Sequence, residues 1–174
     1  MDDLLLLQPD ETMLDEINAY RSAMIDADSS MDGTGPLGHL EAKDWLCATR
    51  NLLKEETCPP QWVPATQFVC VRAADQRIVG MIQVRHRFND YLAEYGGHIG
   101  YSVRPDERLK GYAKWMLAHV LPEVRKIGLE RVLVTCDDDN EGSRRTIEAN
   151  GGEFERTAFL ESENVTLRRY WIEV

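Results

Sequence analysis

Hydrophobic residues recur at two spacings along the 174-residue chain, and these spacings predict a mixture of helices and strands. Helical spacing predicts a first helix that begins at Thr12, with Asp15 at the capping-box position, and a second helix over 40–55. The longest helical pattern begins at Gly111, and a shorter one covers 140–149. Four helices are therefore expected.

Strands are predicted where short apolar or alternating runs replace the helical spacing. The runs 67–71 and 78–85 flank a short turn and indicate an antiparallel hairpin. The other strands are expected at 4–8, 98–103, 131–136, 153–157 and 165–173. The resulting order, β-α-α-β-β-β-α-β-α-β-β, predicts a mixed sheet with helices on its faces. We expect residues 1–174 to form a single domain, because this length is typical of one.

The charge and composition narrow the classes of partner. The chain has 20 Lys+Arg against 30 Asp+Glu and a net charge of −10, which disfavours nucleic-acid binding. It contains neither an apolar run of membrane-spanning length nor a basic leader, so we expect a cytoplasmic protein with no membrane partner. The four cysteines lack a CxxC pair and the four histidines lack HxxxH spacing. Reduced thiols are therefore expected, and no metal site is predicted.

The candidate chemistry lies at the junction between the strand at 98–103 and the helix that begins at Gly111. The connecting loop contributes Arg108 and Lys110 to an otherwise acidic protein. The first turn of a helix offers unpaired N–H groups and the positive end of its dipole. Gly111 has no Cβ and would let an anion approach the backbone closely. These features predict a cradle for a phosphate or pyrophosphate, although neither GxxxxGK[ST] nor GxGxxG is present.

The string Arg108-x-x-Gly111-x-Ala113 resembles the [QR]-x-x-G-x-[GA] loop of the GNAT superfamily of acyl-CoA-dependent N-acyltransferases. The resemblance is clearest over 97–152, where the loop lies between a strand and a long amphipathic helix. It implies an α/β (α+β) fold of GNAT type, with a mixed, mostly antiparallel central sheet of about seven strands flanked by helices on both faces. It also implies acetyl-CoA as the cosubstrate and no metal.

The resemblance assigns cofactor-binding residues to three segments. Backbone amides of the loop would bind the pyrophosphate of coenzyme A, a role that falls on Arg108, Leu109, Lys110, Gly111, Tyr112 and Ala113. The preceding strand in this family splays from its parallel neighbour and pairs with pantetheine, which implies Tyr101, Ser102 and Val103 opposite 132–135. The family's asparagine after the next strand corresponds to Asn140, and Ser143 lies one turn later.

The mechanism implied by the resemblance is direct transfer, in which a neutral amine attacks a thioester carbonyl polarised by a strand N–H. A base must first take the ammonium proton. The candidates near the strand are His98, Glu94 and Asp90, of which we expect His98 and Glu94 to be the catalytic residues. Many members protonate the leaving thiolate with a tyrosine seven residues after the asparagine, where this chain has Ile147. Tyr101, Tyr112 or water could replace it, or the thiolate could leave without an acid.

The sequence thus predicts an acetyltransferase that moves an acetyl group from acetyl-CoA to a primary amine of a small molecule or an aminoacyl group in a ternary complex. The alternatives are a non-catalytic acyl-CoA-binding regulatory module of the same fold and a plain interaction domain. The acceptor is expected to be a small-molecule or peptide amine, and a homodimer is compatible with the sequence. Acidic residues in the loops expected around the acceptor favour a cationic amine: Asp28, Asp32, Glu41, Asp90 and Glu94.

Overall fold

A computed structural model describes residues 3–174, in which seven strands form one sheet with the order β1-β2-β3-β4-β5-β7-β6. The strands are β1 (Leu4–Leu7), β2 (Ala65–Arg72), β3 (Arg77–Arg85), β4 (Ile99–Val103), β5 (Arg131–Asp137), β6 (Glu153–Leu160) and β7 (Val165–Glu173). Strands β4 and β5 are parallel, and every other neighbouring pair is antiparallel. The predicted mixed, mostly antiparallel sheet is confirmed.

Four α-helices accompany the sheet: α1 (Leu14–Asp26), α2 (Ala42–Asn51), α3 (Tyr112–Lys126) and α4 (Glu141–Glu148). Short 3₁₀ turns cover 11–13, 35–39 and 105–107, and a π-helical turn covers 92–96. None of the helices within 3–174 is long and apolar enough to span a membrane. The predicted order of strands and α-helices is confirmed.

Two predicted helix boundaries are wrong for local reasons. The Asp10 carboxylate accepts hydrogen bonds from the Thr12 N–H (2.8 Å) and hydroxyl (2.5 Å), so Asp10 caps a 3₁₀ turn and α1 begins only at Leu14. Helix α2 ends at Asn51, and the Thr57 hydroxyl donates to the Asn51 carbonyl at 2.8 Å. In each case a short polar side chain satisfies backbone groups that a longer helix would have used.

Alternate residues of the central strands supply two cores, one on each face of the sheet. On one face, Val69 and Val71 pack in a cluster with Ile17 and Tyr20 of α1 and with Trp45 of α2. On the other face, residues of β2, β3, β5 and β7 pack in a cluster with α3, including Met116, Leu117 and Val120. The predicted placement of helices on both faces is confirmed.

Strands β4 and β5 separate soon after they meet. The one register pair between them joins Ile99 to Val134. At the same end the His98 N–H donates to the Leu133 carbonyl at 2.7 Å, and the Leu133 N–H donates to His98 Nδ1 at 2.9 Å. Beyond this point no further β4–β5 pair occurs in the described chain, so a split opens in the middle of the sheet.

Candidate active site

A cleft with a volume of about 890 Å³ occupies the split between β4 and β5. Its walls come from the ends of both strands, the first turns of α3 and α4, the α1–α2 loop and the β6–β7 connection. Of the thirteen residues predicted for the site, ten line this cleft: Tyr101, Ser102, Val103, Arg108, Leu109, Gly111, Tyr112, Ala113, Asn140 and Ser143. Lys110, Glu94 and His98 do not.

The first turn of α3 forms an anion cradle. Gly111 caps the helix at φ 85°, a left-handed conformation that costs a side-chain-bearing residue energy. The first helical hydrogen bond runs from the Trp115 N–H to the Gly111 carbonyl at 3.0 Å. The N–H groups of Ala113 and Lys114 therefore lack an acceptor within the helix. With the helix dipole behind them, they are suited to a phosphate oxygen.

Charged side chains fix the loop before the cradle. Arg108 donates from Nε to the Val103 carbonyl (3.1 Å) and from Nη2 to the Ser29 hydroxyl (2.6 Å). Lys110 is paired with Glu107, whose carboxylate is 2.6 Å from Nζ and also binds Arg72 and Arg77. Burial acts to raise the pKa of Glu107, but hydrogen bonds from Lys110 and Arg72 outweigh it and the pKa is lowered. Glu107 thus anchors the loop as a buried carboxylate.

The main chain of β4 faces the cleft at every second residue. The Arg85 N–H donates to the His98 carbonyl, and the Arg104 N–H donates to the Val79 carbonyl, at opposite ends of the β3–β4 ladder. Antiparallel pairs alternate between bonded and non-bonded, so Ser102 bonds to β3, opposite Met81. The main-chain groups of Tyr101 and Val103 then point to the β5 side, where the strands have separated.

Side chains at the start of α4 close the cleft beside Tyr101. The Asn140 side chain accepts from the Ser143 N–H at 3.0 Å and caps the helix. The Tyr101 hydroxyl lies 2.6 Å from the Ser143 hydroxyl, and burial raises the pKa of Tyr101 above its usual value. Ile147 is fully buried in the core below. Tyr101 therefore brings a phenol hydroxyl to the start of α4, the helix that carries Ile147.

His98 lies outside the cleft, in a structural position. It is only 5% exposed, its Nδ1 accepts the Leu133 N–H, and its ring packs 3.9 Å from the Phe88 ring between centroids. Burial, with a smaller contribution from nearby Arg85, lowers the pKa of His98 to about 4. A base must reach the acceptor, so this position gives no support to the catalytic role predicted for His98.

Glu94 is also outside the cleft. Both of its carboxylate oxygens accept from Arg156 Nη2 at 2.9 Å on the surface. Its position gives no support to the predicted catalytic role. Of the five acidic residues expected near the acceptor, Asp32 lines the cleft, and Asp28, Glu41, Asp90 and Glu94 do not.

Sequence reasoning missed Arg85, Asp137 and Glu163, which line the cleft together with Asp32. Burial raises the pKa of Asp137, and repulsion from Asp32 and other nearby carboxylates raises it further. Arg85 and Asp137 are the last residues of β3 and β5. The strand-end position of Asp137 was an available signal, because ligands often bind at the carboxyl ends of neighbouring parallel strands, but Arg85 ends a strand that runs the opposite way and had no such signal. The described residues contain no group of three or more potential metal ligands.

A family model described as an acetyltransferase (GNAT) domain matches residues 3–153. No curated protein sequence is similar enough to this chain to count as a match.

Solved structures share the fold at low sequence identity. The ribosomal-protein-S5-alanine acetyltransferase from Vibrio fischeri superposes with a TM-score of 0.76 at 15% identity, covering 99% of this chain and 94% of that one. A ribosomal L7/L12 α-N-protein acetyltransferase in complex with coenzyme A gives 0.70 at 13% identity, covering 98% and 94%. A spermidine N-acetyltransferase chimera from Vibrio cholerae gives 0.63 at 13% identity, covering 98% and 95%.

Proposed function

Since the chain belongs to the GNAT acetyltransferase family, we propose that it transfers an acetyl group from acetyl-CoA to a primary amine of a small molecule or an aminoacyl group. The observation that carries this proposal is the continuity of one cleft. The cleft is lined by the anion cradle at Gly111, by the open edge of β4 and by the carboxylates of Asp32 and Asp137. Such a cleft has separate places for a diphosphate, a thioester arm and a cationic amine.

The cleft residues fit the parts of acetyl-CoA. The amides at the start of α3 and the Arg108 guanidinium would hold the pyrophosphate, since both favour anionic oxygen. The main-chain groups of Tyr101 and the N–H of Val103 would pair with the pantetheine arm, and one of the two N–H groups would polarise the thioester carbonyl. Asn140 and Ser143 border the same arm from α4. Acetyl-CoA brings the activated acyl group as its thioester, and these residues would orient that thioester in the cleft.

The proposed chemistry is a direct transfer with Asp137 as the base. Asp137 lines the cleft, and its pKa is raised by burial and by nearby carboxylates, which makes it a stronger base than an ordinary aspartate. The amine nitrogen then forms a bond to the acetyl carbon as the carbon–sulfur bond breaks, and the sulfur leaves with the electron pair. The nitrogen releases its second proton to solvent, and solvent in turn restores the proton that the thiolate receives. The Tyr101 hydroxyl, kept protonated by its raised pKa, is the proposed donor to that thiolate.

Release of free thiol from acetyl-CoA across a panel of amines tests the proposal. We expect release above the rate of hydrolysis with at least one amine. Gly111→Val should weaken acetyl-CoA binding by roughly tenfold or more, because a side chain crowds the cradle. The matched control is Gly128→Val, since Gly128 has φ 86° at the other end of α3 and nothing within 4 Å of an added Cβ. Equal cofactor affinity in both variants would contradict the proposed pyrophosphate site.

The second candidate function is a non-catalytic acyl-CoA-binding module. The buried Ile147, at a position where many family members carry a catalytic tyrosine, favours it. Such a module would bind acetyl-CoA and release no thiol with any amine. Tyr101→Phe separates the two further, because it should lower the turnover number of an enzyme while leaving acetyl-CoA affinity unchanged.

A further inference from the structure

Arg85 is a cleft residue with spare hydrogen-bonding capacity. Its Nη1 donates to the Gly96 carbonyl (3.1 Å) and the Gly97 carbonyl (3.4 Å). Its Nε and Nη2 make no hydrogen bond, and the guanidinium forms no ion pair, with any residue in 3–174. Every fully buried side-chain nitrogen and oxygen in that range has a partner. The two free nitrogens are therefore open to the cleft that Arg85 lines.

The guanidinium lies beside Gly100, the second residue of β4. A Cβ added to Gly100 would come within 3.0 Å of Arg85 Nη2, so the glycine leaves the space that the guanidinium occupies. Gly100 directly precedes Tyr101, the first residue whose main chain faces the split. The free donors of Arg85 thus lie close to the part of β4 proposed to hold the acyl group.

A guanidinium in this position calls for an oxygen partner. Arginine stays charged in proteins, and a partly buried charge without an ion pair is costly. The other cleft arginines already have a partner or an assigned role: Arg145 pairs with Glu141, and Arg108 lies at the pyrophosphate cradle. In a chain with a net charge of −10, Arg85 stays without a carboxylate partner although Asp32 acts on it electrostatically. The free donors match an oxygen supplied by a ligand.

We propose that Arg85 binds a carbonyl or carboxylate oxygen adjacent to the reacting amine, so that the acceptor is an α-amino-acid unit. Asp32 lines the same cleft with the opposite charge and suits the ammonium group of that unit. The unit is either a free amino acid or the N-terminal residue of a peptide, which share this chemistry. A polyamine lacks the oxygen and brings a second cation towards Arg85. The inference rests on the proposed function and names its acceptor class.

Matched sets of probes test the assignment. Each set contains an amino acid, its amide and the corresponding decarboxylated amine, such as tyrosine, tyrosinamide and tyramine, or lysine, lysinamide and cadaverine. Affinity is measured calorimetrically with the full chain saturated with coenzyme A, and turnover is measured as thiol release from acetyl-CoA. We expect the preferred amino acid or amide to bind roughly tenfold or more tightly than its amine, because the amine leaves the guanidinium unpaired. A preference for the acid indicates a free amino acid, and a preference for the amide indicates a peptide terminus.

Arg85→Met should reduce that preference to near one, and Arg85→Lys should retain part of it. The matched control is Arg87→Met, because Arg87 is paired with Glu55 at the surface outside the cleft. The affinity of each variant for coenzyme A shows that the fold is intact. Equal affinity for oxygen-containing and decarboxylated probes, or no binding by any probe, would overturn the assignment. A binding preference that depends on Arg85, without thiol release by any probe, would instead contradict the proposed function.

Discussion

His98 joins β4 to β5 through its main chain and its ring at the point where the two strands meet. The ring nitrogen that accepts the Leu133 N–H must be unprotonated, so the neutral imidazole belongs to the folded structure. Burial reinforces this by lowering the pKa of His98 to about 4. Protonation of His98 should therefore make the free energy of unfolding depend on pH.

Stability should fall in acid because of His98. Its pKa of about 4 in the folded chain lies below the value near 6.5 in the unfolded chain, so the unfolded state binds the proton more tightly. The contribution is complete above pH 6.5 and is lost as the pH falls towards 4, by up to about 3 kcal/mol. Urea unfolding of the wild type and of His98→Gln, which keeps an acceptor, measures the difference. Identical pH dependence in the two proteins between 6.5 and 4.5 would contradict this account.

The split between β4 and β5 is the element on which the proposed cofactor site depends. Strand β4 is paired with β3 along its whole length but with β5 only at Ile99. The alternation of its main-chain groups leaves Tyr101 and Val103 directed to the split and Ser102 directed to β3. We therefore expect a ligand in the split to form hydrogen bonds with the Tyr101 and Val103 amides and not with the Ser102 amide between them.

The exchange rates of individual backbone amides with solvent distinguish the two kinds of amide. Addition of coenzyme A should slow exchange at the Tyr101 and Val103 amides, because pantetheine would supply the acceptors that β5 does not. Exchange at Ser102 should already be slow without a ligand and should change little beyond any global stabilisation. Amide-resolved exchange by NMR measures all three in one sample. Slowing at Ser102 to the same extent as at its neighbours would contradict pairing of the cofactor along the open edge.

The anion cradle could be predicted from the sequence because its determinants are local. The end of a strand, Arg108, Gly111 and the start of an amphipathic helix are close together in the chain, and their order fixes their geometry. The role of His98 could not be predicted in this way. Its partner Leu133 lies 35 residues away, and the contact exists only because β4 and β5 become neighbours in the sheet.

The carboxylates and the arginine of the cleft come from distant parts of the chain. Asp32 lies in a loop after α1, Arg85 at the end of β3, and Asp137 at the end of β5. Sequence reasoning named Asp32 as one acidic loop residue among several and gave no reason to choose it. Asp137 follows the carboxyl end of β5, where ligands often bind in such sheets, whereas Arg85 lies at the opposite end of the β4–β5 pair and reaches the cleft only through the length of its side chain.

At the scale of the whole molecule, the distribution of charge determines which ligands the cleft attracts more than the net charge does. The chain carries a net charge of −10, yet the cleft contains the guanidinium groups of Arg85 and Arg108, neither of which forms an ion pair within residues 3–174. Arg108 lies at the anion cradle, and Arg85 lies in the same cleft as the carboxylates, with Asp32 acting on it electrostatically. An acidic protein can thus bind an anionic nucleotide locally while its acceptor region attracts cations.

The position of coenzyme A in a crystal of the complex tests the account most directly. We expect the pyrophosphate within hydrogen-bonding distance of the backbone amides at the start of α3 and beside Arg108, with the pantetheine arm between β4 and β5 along Tyr101 and Val103. A diphosphate bound at another surface, with the split between the two strands empty, would contradict the account.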